Sequence, residues 1–208
     1  MAEEVLDPVL EKIKTTLTLF ALVEGGFVSR FIKAFNVANP KLAQRPLRDS
    51  RPGFEGWTLL HHAAMLGDPK VVAFLAERGH AIDIIDSSLS CMTPLMVAIA
   101  FDRVSVANEL ITLGADPSAT DMSGDNAIHY AARVSGTMIK EIIKSGNFSS
   151  DHITALVTTP NCKRKFPEDI SANDVVKETL MNFRCFGYIP TKVRHLPSKR
   201  MKNKLVAA

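Results

Sequence analysis

The sequence predicts an all-α solenoid of stacked helical pairs. Three observations carry that prediction. A segment recurs along the chain, anchored at Thr58, Thr93 and Asn126, 35 and 33 residues apart. Within each copy, apolar residues return at helical spacing and a glycine follows the last of them. The composition, 46% hydrophobic and 23% charged over 208 residues, suits a folded chain with a real core.

Each copy explains its own helices. The first reads Gly56-Trp57-Thr58-Leu59-Leu60-His61-His62-Ala63-Ala64-Met65-Leu66-Gly67, followed by Val71, Val72, Phe74, Leu75 and Gly79. The second begins Met92-Thr93-Pro94-Leu95-Met96-Val97-Ala98 and ends at Gly114. The third begins Gly124-Asp125-Asn126-Ala127-Ile128-His129-Tyr130-Ala131-Ala132 and ends at Gly146. Thr58, Thr93 and Asn126 are helix N-cap residues, whose side chains can accept otherwise unpaired backbone N–H groups. Pro94 stands at the first helical position, where a missing N–H costs nothing, and Pro69 opens the second helix of its copy in the same way. The pairs Ala63-Ala64 and Ala131-Ala132 let neighbouring helices approach closely. Gly79, Gly114 and Gly146 fall where a helix stops and the chain reverses.

These segments resemble the ankyrin family, whose repeat of about 33 residues carries a T-P-L-H-x-A core. The departures are Leu59 in place of proline, Met96 in place of histidine, and Asn126-Ala127 in place of Thr-Pro. Worn copies flank the clear ones. Thr16-Leu17-Thr18-Leu19-Phe20-Ala21 with Gly25-Gly26 keeps the spacings of the first copy, and Phe27, Val28, Phe31, Ile32 and Phe35 follow at helical spacing. Phe166-Pro167-Glu168-Asp169-Ile170-Ser171 resembles a terminal repeat, with Val175, Val176, Leu180 and Met181 supplying its second helix. The expected organisation is a capping helix over 1–14, a degenerate first repeat with a long loop over 15–55, three repeats over 56–146, a long loop and truncated capping repeat over 147–186, and an extended basic tail over 187–208. That makes about five helical pairs.

The chemistry of an enzyme is not evident. There is no Gly-rich phosphate loop, nucleophile elbow or His-Glu-x-x-His. His61, His62 and His129 form the one tempting cluster. The resemblance makes His61 and His129 structural: each imidazole is expected to hydrogen-bond backbone in the adjoining loop. No metal, cofactor or catalytic residue is expected. Cys91, Cys162 and Cys185 lack Cys-x-x-Cys spacing and read as buried thiols of a reducing compartment. Cys162 precedes Lys163-Arg164-Lys165, but no base is paired with it. The apolar stretch from Leu17 to Ile32 is interrupted by Glu24, Gly25-Gly26 and Arg30, so no membrane span is expected. The acidic start (Glu3, Glu4, Asp7) argues against a secretory or mitochondrial leader, and a cytoplasmic setting follows, with cytoskeletal or nuclear association open.

The resemblance places ligands on the concave face. Carried over position by position, that face holds His62, Met65 and Leu66, then Val97, Ala100 and Phe101, then Tyr130, Arg133 and Val134. Two apolar rows result, His62-Val97-Tyr130 and Leu66-Phe101-Val134. Such rows mark an interaction surface, unless Leu66, Phe101 and Val134 are partly buried within their own repeats. Asp83, Asp86, Ser88, Asp121 and Asp125 are expected to form an acidic fringe at the loop tips.

Charge is segregated. Residues 1–178 hold 18 basic and 22 acidic residues, a net of −4, whereas 179–208 hold seven basic residues and no acidic one. Lys192, Arg194, Lys199, Arg200, Lys202 and Lys204 make the tail a possible arm for nucleic acid, anionic lipid or an acidic protein polymer. The expected function is a non-enzymatic adaptor or scaffold. The alternative is a structural subunit fixed in a cytoskeletal, axonemal or ribonucleoprotein assembly through that arm.

Overall fold

The computed structural model describes residues 17–37, 47–145 and 148–186. The expected N-terminal cap and the basic tail, with all six of its candidate residues, lie outside them. The described residues contain helices and turns, with one isolated antiparallel bridge between Arg48 and Thr58. Helix α1 covers 17–24 and α2 Val28–Val37. Then come α3 (Leu59–Leu66) and α4 (Pro69–Glu77), α5 (Pro94–Ala100) and α6 (Val104–Thr112), and α7 (Ala127–Val134) and α8 (Gly136–Ser145). Helix α9 (Ser150–Thr158), a 3-10 turn (Pro167–Ile170) and α10 (Asp174–Phe186) complete the chain.

Isolated helices of seven to ten residues are not stable in water, so stacking must supply what propensity does not. Helices α3, α5 and α7 lie side by side as an inner row, and α4, α6 and α8 form an outer row. Between the rows runs one apolar core that includes Leu60, Leu75, Ile99, Leu110, Ile128 and Ile142, all fully buried. The small residues Ala63, Ala64, Ala131 and Ala132 are fully buried too, where adjacent inner helices meet. Local chemistry fixes the helix starts. Asn126 Oδ1 accepts from Ile128 N (3.0 Å) and His129 N (3.1 Å), Thr93 Oγ1 from Met96 N (3.3 Å), and Asp68 Oδ1 from Lys70 N (2.9 Å).

The first pair joins the stack through aromatic side chains. Phe74 of α4 stands edge-on to Phe31 (6.0 Å) and Phe35 (5.4 Å) of α2, and the Arg78 guanidinium covers its other side at 4.8 Å.

Two expectations need correcting. The long loop expected within 147–186 contains a helix, α9, started by Ser149 Oγ accepting from His152 N at 3.2 Å. Leu156 and Val157 anchor α9 in the core. In α10 the core-facing residues are Val176, Leu180 and Phe183, whereas Val175 (70% exposed) and Met181 (47%) face solvent. The first helix of this last unit is shortened to a single 3-10 turn, and the Arg184 guanidinium lies over Phe166 at 4.3 Å.

Candidate protein-interaction surface

Before each inner helix the chain projects as a finger, and one side chain shapes each finger. Asp49 Oδ1 accepts from Arg51 N (2.9 Å), Asp86 Oδ1 from Ser88 N (3.0 Å), Asp121 Oδ1 from Ser123 N (2.7 Å), and Asn161 Oδ1 from Lys163 N (2.9 Å). Each is an Asx turn, in which the side chain replaces a backbone acceptor. Asp86 also receives the N–H groups of Cys91 (3.1 Å) and Met92 (3.3 Å), and Asp121 that of Asp125 (2.9 Å).

The two repeat histidines tie fingers together. His61 Nδ1 accepts from Thr58 N (3.2 Å), and Nε2 donates to Met92 O (2.9 Å) in the next finger. His129 makes the same backbone contacts with Asn126 N (3.3 Å) and Lys165 O (3.2 Å), and its Nδ1 also lies 2.7 Å from Asn126 Oδ1. One accepting and one donating nitrogen describe a neutral imidazole at His61. Burial pushes the His61 pKa down to about 4, and His129 is shifted the same way for the same first cause. The structural role expected of both is what the geometry gives.

His62 is different, and its expected exposure is wrong. It is fully buried, because the loop before α3 folds over it. The rings of Phe20, Phe54 and Trp57 stand 4.9, 5.1 and 5.4 Å from its own. Its Nδ1 lies 3.2 Å from Glu24 Oε1 and its Nε2 3.0 Å from Asp49 Oδ2, without hydrogen-bond alignment. Glu24, Asp49 and His62 offer donor atoms within 4.8 Å of one another, as a metal site would. Arg51, however, already fills the cation position. Its guanidinium bonds Asp49 at 2.9 Å through Nε and Glu24 at 3.0 Å through Nη1, so the group is an ion cluster with its own fixed positive charge. Burial pushes the His62 pKa down against the pull of the two carboxylates, and Arg51 bonding outweighs burial to hold Asp49 below the usual carboxylate range.

Val97 is fully buried as well, on the middle of three adjacent inner helices, so the expected row His62-Val97-Tyr130 is not a surface. Among the remaining candidates, Met65, Leu66, Tyr130 and Val134 are half-buried, and Ala100, Phe101 and Arg133 are exposed. Open surface on the inner row is thus confined to the last turn of each helix. There the Arg133 guanidinium lies 5.4 Å from the Tyr130 ring centre, and the Tyr130 hydroxyl donates to Asp121 Oδ2 at 2.8 Å.

The acidic fringe is also mostly internal. Asp86 (1% exposed) and Asp125 (3%) are buried because they serve finger backbone and neighbouring side chains. Asp125 accepts from Asn161 Nδ2 at 2.7 Å and pairs with Arg133; these bonds outweigh burial and keep its pKa low. Asp121 and Ser88 are half-buried, and only Asp83 of the five is exposed. The fingers also offer large apolar side chains to solvent: Leu89 is 92% exposed, Met122 65% and Ile85 47%. Sequence reasoning missed these three; large apolar residues in a finger, away from any helical period, were the available signal. The cysteines depart from expectation too, since Cys162 is exposed and Cys91 half-buried.

Several buried histidines held neutral make the fold acid-sensitive. A histidine whose folded pKa is depressed stabilises above its unfolded value of about 6.5 and loses that contribution as pH falls toward the folded value. His61 alone accounts for about 3 kcal/mol between pH 7 and pH 4, from its shift to about 4. The midpoint of urea unfolding is therefore expected to drop steadily below pH 6.5, before carboxylate protonation begins, and less steeply in His61→Gln.

A family model described as ankyrin repeats (3 copies) matches residues 19–121. Over 94 residues, 45% of this chain, the sequence is 33% identical to the B-cell lymphoma 3 protein homolog of Mus musculus, and the match takes in 21% of that protein. It is 33% identical over 96 residues to NF-kappa-B inhibitor delta of Mus musculus, covering 44% of this chain and 29% of that protein. It is 25% identical over 152 residues to inversin of Homo sapiens, covering 66% of this chain and 14% of that protein. The chain thus spans well under half the length of each of these relatives. Among the described residues no helix is long and apolar enough to cross a membrane.

Proposed function

The chain belongs to the ankyrin-repeat proteins, and from that premise we propose that it is a non-enzymatic adaptor. Repeats of this family bind other proteins; the solenoid supplies a rigid surface and the side chains on it set the partner. The observation that carries the reading is the set of large apolar side chains standing in solvent on successive fingers, Leu89, Met122 and Ile85, with Phe101 at 46% exposure on an inner helix. Exposed apolar surface of this kind marks interaction sites. Met65, Leu66, Tyr130 and Arg133 extend the surface along the helix ends. The likeness to a protein named as an inhibitor supports a regulatory role exercised by binding.

The test is the paired substitution Leu89→Ser with Met122→Ser. Both side chains are largely exposed, so the melting temperature is expected to stay within about 2 °C of the parent. Affinity for partners recovered by proximity labelling is expected to fall about tenfold or more, the loss usual for interface anchors. Undiminished affinity for every recovered partner would remove the fingers from the binding surface.

A second reading makes the chain a fixed subunit of a large assembly. It rests on the charge of residues 187–208, which hold six basic and no acidic side chains. Deleting them and comparing sedimentation of cell extracts separates the two readings: an adaptor keeps its apolar-surface partners without them.

A further inference from the structure

The turn between the helices of each pair lies at the far end of the inner helices from the fingers. At the junction between the pairs α3–α4 and α5–α6, one side chain bridges neighbouring turns. Arg103, the N-cap residue of α6, reaches back over Gly67, and its Nε donates to Met65 O at 2.8 Å. A Cβ built on Gly67 would stand 2.8 Å from Arg103 Cδ, so the glycine makes room for the stem.

One junction earlier the turn also carries a left-handed glycine, Gly26 at φ +67° against +89° at Gly67. A Cβ built on Gly26 would meet no heavy atom within 4 Å, so no side chain bridges that turn and the space over it is open. The residue equivalent to Arg103 is Asp68, the N-cap of α4. Its short side chain turns to its own helix and accepts from Lys70 N at 2.9 Å. A cavity of about 530 Å³ remains between the turns, walled by Leu22, Val28, Leu66 and Val71, with Glu24 and Asp68 as its carboxylates. No lysine, arginine or histidine lines it among the described residues.

We propose that this slot takes an arginine side chain of a partner protein, carried on an extended segment with apolar neighbours. The chain's own next junction displays the seat: an arginine stem laid over a glycine turn, its guanidinium reaching past it. Apolar walls suit the methylenes of such a stem. A carboxylate at the rim suits a guanidinium, which bonds it in a two-pronged geometry that lysine cannot match. Asp68 has no ion-pair partner among the described residues, so it is available for that bond. The cavity exceeds one side chain, which is why apolar flanking residues belong to the ligand. The site is separate from the fingers and shares only Leu66 with the surface along the inner-helix ends, so its occupancy does not depend on Leu89 or Met122.

The test is a titration of the ¹⁵N-labelled full chain with the peptide acetyl-Leu-Arg-Leu-amide, against the same peptide with neutral citrulline in place of arginine. Saturable shifts are expected at the amides of Gly25, Gly26 and Gly67, with the citrulline peptide at least tenfold weaker. Asp68→Asn keeps a capping residue but removes the charge, and is expected to weaken binding about tenfold. Asp68→Arg is expected to fill the slot from within, as Arg103 does next door, and to abolish the shifts. The paired Leu89→Ser and Met122→Ser substitutions are expected to leave the titration unchanged, which separates this site from the adaptor surface. Equal binding of the citrulline peptide, full affinity in Asp68→Asn, or shifts confined to other residues would overturn the proposal.

Discussion

Replacing Arg51 by alanine is expected to destabilise the chain by about 2–3 kcal/mol and to loosen the first helical pair before the rest. Arg51 joins Glu24 of α1 to Asp49 of the loop that covers His62. Asp49 is 4% exposed, and its charge survives burial because of Arg51. Removing one partner of a buried ion pair costs about 3–5 kcal/mol, because the other charge stays behind unpaired. The Arg51 side chain is itself 34% exposed, and the lower figure allows for solvent screening on that side. It also lies over the rings of Phe20 and Phe54, at 5.8 and 5.6 Å, so packing is lost with charge. Hydrogen exchange reads the outcome. Amides of 17–37 should lose protection while those of α5 to α8 keep theirs, since each solenoid pair leans only on its neighbours. Arg51→Lys should recover only part, for lack of the two-pronged geometry. Uniform loss across the stack would mean that the cluster does not couple the first pair specifically.

The second large effect is expected at the fingers. Gly56 and Gly124 each sit two residues before an N-cap, with φ of +81° and +75°. Each also touches the next finger: a Cβ on Gly56 would lie 2.6 Å from Ser87 N, and one on Gly124 2.8 Å from Cys162 N. Those neighbours are backbone atoms and cannot swing aside. Gly56→Ala or Gly124→Ala combines left-handed backbone cost with overpacking and should destabilise by about 3 kcal/mol. For a chain of this size that is roughly a 6–12 °C fall in melting temperature. The middle repeat supplies the reverse arm. There the same position is Cys91, at φ +53°. Cys91→Gly relieves that strain and should stabilise by about 0.5–1 kcal/mol. Tolerance of alanine at Gly124 together with destabilisation by Cys91→Gly would show that the fingers are not packed as described.

Much of the architecture is legible in the sequence because its signals are local. The N-caps, the proline at the first helical position and the period of the core residues each act within a turn or two, and α3, α5 and α7 begin where Thr58, Thr93 and Asn126 place them. The roles of His61 and His129 follow from the repeat. The surface is less legible, because exposure is decided by what folds over a helix from elsewhere. His62 occupies an outward helical position and is nonetheless sealed by Phe20, Phe54 and Trp57, two of them from a loop that helical periodicity does not describe. Asp86 and Asp125 read as surface charges in sequence, yet their carboxylates are consumed by hydrogen bonds within and between the fingers. The apolar tips Leu89 and Met122 show the converse: a hydrophobic residue with no helix to bury it stays in water.

Met96 occupies the place that His61 and His129 fill in their repeats, and its sulfur accepts from Thr93 N, at 3.5 Å, within its own helix start. Histidine therefore staples the first finger to the second and the third to the last, whereas the middle joint is held by backbone, with Met122 N donating to Ser90 O at 3.1 Å, and by Asp83 Oδ1 accepting from Asp116 N at 3.1 Å. The joint between the α5 and α7 repeats thus differs from its neighbours in chemistry: no imidazole crosses it among the described residues. A partner gripping Leu89 on one side of that joint and Met122 on the other would act as the clasp that histidine supplies at the joints on either side.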